Sequence, residues 1–185
     1  MQTTASTITE DLMLQYPIGV FERPKSVGRK EVESWIEELE KTPDRLWEMI
    51  WLMTPEQLQT PYRPGGWTVL QLVHHLSDSH MNGYIRLKLA LTEDNPLVRP
   101  YRQEKWAELP DGTTVDLRDS LNILRSVHAK WVRLLRTLNE EQLERTYRHP
   151  EWEEELKISD LIANYAWHSR HHLRQIENLR QSKGW

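Results

Sequence analysis

The chain contains no cysteine. That excludes disulfides, thiolate metal sites and a cysteine nucleophile, and it fits a reducing compartment. No apolar run approaches the roughly 20 residues needed to span a bilayer. The opening residues, MQTTASTITEDL, have neither the basic start nor the apolar stretch of a secretory signal. A basic excess is missing too: 24 Lys and Arg against 28 Asp and Glu leave a net charge of -4. Binding a phosphate backbone needs concentrated positive charge. The expectation is a soluble cytoplasmic protein that engages neither nucleic acid nor membrane. Phe is nearly absent, with one copy against nine Trp, and Trp-rich helices commonly use the indole to fill cores and interfaces.

What is present is helical periodicity over a length of 185 residues, the size of one domain. Residues 1–28 carry Pro17, Pro24, Gly19 and Gly28 without periodicity and read as an extended N-terminal arm, with Tyr16, Ile18 and Phe21 able to attach it. Residues 29–185 read as the body. Val32, Ile36, Leu39, Leu46, Ile50 and Met53 mark an amphipathic helix from Lys30, with a kink or break expected near Thr42 because Pro43 follows. Thr54 with Gln57, and Thr68 with Gln71, form capping boxes, the second opening a long helix to about Leu91. Residues 92–116, with Pro96, Pro100, Pro110 and Gly112, form a long connection. Leu117, Leu121, Leu124, His128, Trp131, Leu135 and Leu138 make the seam of a third helix, and a last helix spans about Ser159 to Arg180. MTPEQLQTPYR at 53–63 and LNEEQLERTYR at 138–148 share EQL and YR, a short internal repeat that suggests two related halves.

The histidines carry the chemistry. In the last helix Leu161, Ile162, Tyr165, Leu173, Ile176 and Leu179 define the apolar face. His168 and His172 fall inside it, about 40° apart and one turn from each other. Burying two imidazoles costs stability unless each finds a partner, and an i, i+4 pair can place two nitrogens on one metal ion. The competing reading is a pair of ordinary hydrogen-bonded core histidines. On the second long helix His75 flanks the core stripe in line with Gln71, Ser79, Asn82 and Arg86, a polar strip that faces either a cavity between helices or solvent. His74 points away from the core and reads as a surface residue; His171 sits on the edge of the apolar face; His149 carries no signal. His80 reads as a core residue or one behind a ligand. His128 reads first as a core histidine and second as a fourth ligand or substrate contact.

YPIG at 16–19, TPYRPGGWTVLQLVHHLSDSHMNGYIRLKLALTE at 60–93 and YAWHSRHHLRQI at 165–176 resemble the YfiT group of the DinB superfamily. The resemblance runs nearly end to end, through RPY at 99–101 and the final GW. It implies an all-α, DinB-like four-helix bundle and a divalent metal, zinc or nickel, held by three histidines that match His75, His168 and His172. It also implies a metal-dependent hydrolase acting on a small molecule, commonly as a homodimer. Relatives that are transferases or isomerases use a low-molecular-weight thiol such as bacillithiol.

Three neutral imidazoles would leave an ion with an open coordination position, the catalytic arrangement rather than the closed structural one. Hydrolysis also wants a base. His168-Ser169 lacks the glutamate of the zincin step, and Asp78, one turn from His75, is the nearest carboxylate by spacing, although a solvent-facing role suits it equally. A metal-bound thiol needs no such base, and Arg86 could pair with its carboxylate, which keeps a thiol S-transferase open as an alternative. A non-enzymatic metal-binding module is the third reading. It requires a closed site.

Overall fold

The computed structural model describes residues 11–185. Capping decides where the chain becomes helical. Gly28 N–H is taken by Glu31 Oε2 at 3.0 Å ahead of α1, Arg29–Ile50. Thr68 Oγ1 accepts from Gln71 N at 3.1 Å, and Gln71 Oε1 returns the bond, ahead of α2, Val69–Thr92. Helix α3 spans Arg118–Leu135 and α4 spans Ile158–Lys183, the latter closed by left-handed Gly184. Short turns at Pro55–Leu58 and Glu140–Leu143 carry matching capping boxes.

The break expected at Pro43 does not occur, and α1 runs through it. Proline removes the N–H that would bond Leu39 O. His128 Nδ1 supplies a donor to that oxygen instead, at 2.5 Å. The repeat proves structural. After each EQL turn the chain pairs back on the residue that caps the next long helix, Pro61 with Thr68 and Thr146 with Lys157. The second pairing is a two-stranded ribbon, β1 Thr146–Tyr147 and β2 Leu156–Lys157. Two residues per strand are too few to leave an alternating pattern in the sequence.

Helix α1 packs on α3 and α4, and α2 packs on the same two, so α1 and α2 face each other across the bundle diagonal. The core has two apolar clusters. One takes the N-terminal halves of α1 and α4 with the C-terminal halves of α2 and α3, around Leu39, Leu87, Trp131 and Leu161. The other takes the opposite halves, around Leu46, Leu72, Leu124 and Ile176. Hence α1 and α4 run one way, and α2 and α3 the other. Two consecutive helices that run the same way need a connection that travels back along the bundle. Helix α2 is 24 residues, about 36 Å, which explains the long segment after Thr92. That segment pairs at Leu97 with Arg148 near one end of α2 and reaches Gln71 near the other, where Gln71 Nε2 donates to Ala107 O at 3.0 Å.

The described part of the arm begins with one helical turn at 11–15, not an extended run, and residues 1–10 lie outside the described residues. Tyr16 packs on His171 and Phe21 on Trp152 and Trp167, whereas Ile18 is exposed and does not help attach the arm. Arg23 Nε donates to Asp160 Oδ2 at 2.9 Å and holds the arm to the start of α4.

Gly83 is the tightest point of α2. A Cβ there would lie 2.3 Å from Tyr165 Cζ and 2.7 Å from Trp131 Cη2. Gly83→Ala should therefore destabilise by about 1–3 kcal/mol or more from overpacking, against a gain of about 1 kcal/mol in helix propensity. Thermal unfolding followed by circular dichroism checks it. An unchanged or raised Tm would contradict the close approach.

Candidate metal centre

His75 comes from the second turn of α2, and His168 and His172 from adjacent turns of α4. Their Nε2 atoms converge: His75 to His168 at 3.1 Å and His172 to His168 at 3.0 Å. Two nitrogens bound tetrahedrally at about 2.0–2.1 Å from one ion lie roughly 3.3 Å apart. The spacing fits a shared divalent cation. Burial pushes all three imidazoles well below the usual histidine range, with the neighbouring histidines a smaller cause in the same direction. They are neutral at physiological pH, the form in which imidazole is a ligand. Among the described residues, the His, Cys, Asp or Glu group able to share one ion at this spot comprises these three and no fourth.

The three nitrogens face a cavity of about 410 Å³ walled by Tyr16, Tyr62, Trp67 and Trp167. Trp67 packs against the His75 ring at 4.6 Å between centroids. His172 is oriented from behind: its Nδ1 lies 2.8 Å from Gln175 Oε1. The amide is itself held, because Gln175 Nε2 donates to Gln15 O at 2.8 Å. A carbonyl only accepts, so the amide nitrogen faces Gln15, its oxygen faces His172, and His172 Nδ1 carries the proton. That leaves the His172 Nε2 lone pair toward the cavity. Gln175 escaped the sequence reading, although its place three residues after His172 on the same face is a usable signal. Arg63 and Glu104, from the Gly-Gly turn and the long connection, also line the cavity. Neither belongs to a periodic segment, so sequence gave no pointer.

The remaining candidates separate from the centre. His128 does not approach the cavity as a fourth ligand: it is buried, with Nδ1 on Leu39 O and Nε2 2.8 Å from His80 Nδ1. Asp78 is half-buried, with its carboxyl raised by burial and by nearby Asp111, and it is not part of the cavity wall. Arg86 lies beyond the histidines, with Nη1 3.4 Å from Tyr165 Oη and Nη2 donating to Arg99 O at 3.1 Å. His74, expected at the surface, is buried between Ser120 Oγ at 2.7 Å and Thr114 O at 2.9 Å, because the start of α3 and the long connection cover that face of α2. His171 stacks on Trp167 and accepts from Gln175 Nε2 at 3.0 Å.

A bundle whose third helix returns parallel to its second, with three histidines from its second and fourth helices converging on one point, defines a class. The profile of the DinB superfamily matches residues 38–176, and the chain belongs to that superfamily. Within it the chain falls with YfiT. The Bacillus subtilis (strain 168) protein named "Putative metal-dependent hydrolase YfiT" is 45% identical over 172 residues, 93% of this chain and 97% of that one. A Bacillus cereus (strain 03BB102) relative bearing the same hydrolase name is 50% identical over 173 residues, 93% and 98% of the two chains. The solved structure of Bacillus subtilis YfiT, described as having an unusual four-helix bundle topology, superposes with a TM-score of 0.91, covering 94% of this chain and 99% of that one.

Buried neutral imidazoles set an acid limit. Unfolded histidines take up protons as the pH falls below 6.5, whereas burial holds His128 neutral until about pH 4. The folded state therefore loses ground across that window, by up to about 1.4 kcal/mol per pH unit for one such histidine. Urea unfolding of the metal-free protein should show midpoints falling between about pH 6.5 and about pH 4. A flat midpoint would mean the imidazoles are not desolvated.

Proposed function

We propose that the protein is a cytoplasmic divalent-metal-dependent hydrolase of the DinB type, acting on a small molecule, with His75, His168 and His172 as the metal ligands. The convergence of three Nε2 atoms on one point at the wall of an open cavity carries this reading. Imidazole donors suit zinc and nickel. A divalent ion held there would supply Lewis-acid activation of water and of the bond to be cleaved.

The chain's own residues do the rest. Gln175 holds His172 in register, and Trp67 fixes the plane of His75. Arg63 gives the wall a positive charge suited to an anionic substrate group, although Asp11 at 3.4 Å shares it. Glu104 is the carboxylate best placed to hold or pass a proton at the mouth, a role that Asp78 cannot fill from its position off the wall. Trp47 and Trp51, exposed and stacked at 6.4 Å at the C-terminal end of α1, offer an apolar patch suited to the second copy of a homodimer.

His168→Ala and His172→Ala should each reduce bound zinc or nickel to background by elemental analysis while the helical circular dichroism persists. Unchanged metal content in either variant would remove the assignment. Ester and amide turnover by the loaded wild type should disappear in both. Conjugation of an electrophile to bacillithiol without any hydrolysis would replace the hydrolase reading with a thiol S-transferase.

A further inference from the structure

His80 and His128 lie away from the cavity, yet an unbroken row of hydrogen bonds connects them to it. His168 Nδ1 stands 3.1 Å from His80 Nε2, His80 Nδ1 stands 2.8 Å from His128 Nε2, and His128 Nδ1 stands 2.5 Å from Leu39 O. A neutral imidazole carries one N–H and one lone pair. A row of them can therefore point its protons in either direction. The far end decides. Leu39 O is free because its helical partner would be the N–H of residue 43, which is proline. A carbonyl only accepts, so His128 donates from Nδ1 and accepts at Nε2. His80 must then donate from Nδ1 and accept at Nε2, and His168 must donate from Nδ1. The His168 Nε2 that faces His75 and His172 is left with its lone pair.

We propose that His80 and His128 are positioning residues, which together with the Leu39 carbonyl hold His168 in its Nδ1–H form and present Nε2 to the metal. This rests on reading His75, His168 and His172 as the ligands. The surroundings enforce the row. His80 is 0% and His128 2% exposed, so water offers neither ring an alternative partner. Tyr165 and Trp131 pack edge-on against His80 at 5.1 Å and 6.0 Å between centroids and prevent it from turning. A ligating histidine usually has a carboxylate, a backbone carbonyl or a water on its other nitrogen. Here two imidazoles intervene before the carbonyl, and no hydrogen bond of the row goes to a charged group.

Nitrogen NMR of the histidine side chains in ¹⁵N-labelled, metal-free protein at neutral pH tests the row directly. His80, His128 and His168 should each show a protonated Nδ1 and a bare Nε2, although a histidine free in water favours the opposite form. A protonated Nε2 on His80 or His168 overturns the proposal. Zinc affinity, measured by competition with a chromophoric chelator, gives a second readout. His128→Leu removes the anchor and should weaken zinc binding by about tenfold or more. His128→Gln can still donate to Leu39 O and accept from His80, and should recover most of the loss. A folded H128L with wild-type affinity contradicts the proposal; if H128L does not fold, the spectrum of the wild type and the H128Q affinity decide. Failure of the ligand assignment itself is distinguishable, since it appears as undiminished metal in H168A whatever the tautomers are.

Discussion

Seven of the eight histidines are buried, and the eighth, His168, is half-buried at the point where the others meet. Imidazoles removed from water need partners, because an unpaired buried polar group costs a few kcal/mol. In this bundle the partners are mostly one another, supplemented by Gln175 and backbone carbonyls. The rest of the architecture is arranged around that demand. The polar row crosses the bundle between the two apolar clusters, so the core is divided rather than continuous. Each cluster seals one side of the row, and the seal keeps the imidazoles neutral.

The direction of the helices then brings the long connection to the site. With α2 and α3 parallel, the chain must return along the bundle before α3 can start. Its path passes Gln71 and the mouth of the cavity, which is why Glu104, from a segment with no periodicity, lines the same wall as the three histidines. The arm does the same from the other side. Gln15 fixes the Gln175 amide, and Tyr16 covers His171, so residues remote in sequence complete the surroundings of α4.

Much of this was legible from the residues. Periodicity and capping boxes located the four long helices, and helix geometry alone picked out His168 and His172 as imidazoles where a core wants leucine. His75 was harder. It lies about 110° from its own apolar stripe, and a single helix cannot say whether a flanking strip faces a cavity or water. His74 misled for the same reason: what covers it is Thr114 of the long connection and Ser120 of α3, which its own helical wheel does not contain. Pro43 misled differently. Its propensity to interrupt a helix is local, but the orphaned carbonyl it creates is satisfied by His128, 89 positions away. The partners that fix Gln175 and His128 are main-chain oxygens, which have no residue signature at all.

The bridge at Thr68 and the ribbon at Lys157 place these two residues at matching points of the repeat, each as the cap of a long helix. Counting from those caps, His75 corresponds to Asn164, and His168 and His172 correspond to Ser79 and Gly83. The repeat thus offers two corresponding positions, and among the described residues only one of them brings three imidazoles together. At the other, Tyr165 and Trp131 close over Gly83 so tightly that no side chain fits. The two halves of the repeat therefore differ in what they enclose: one lines an opening to solvent, and the other is filled by aromatic packing.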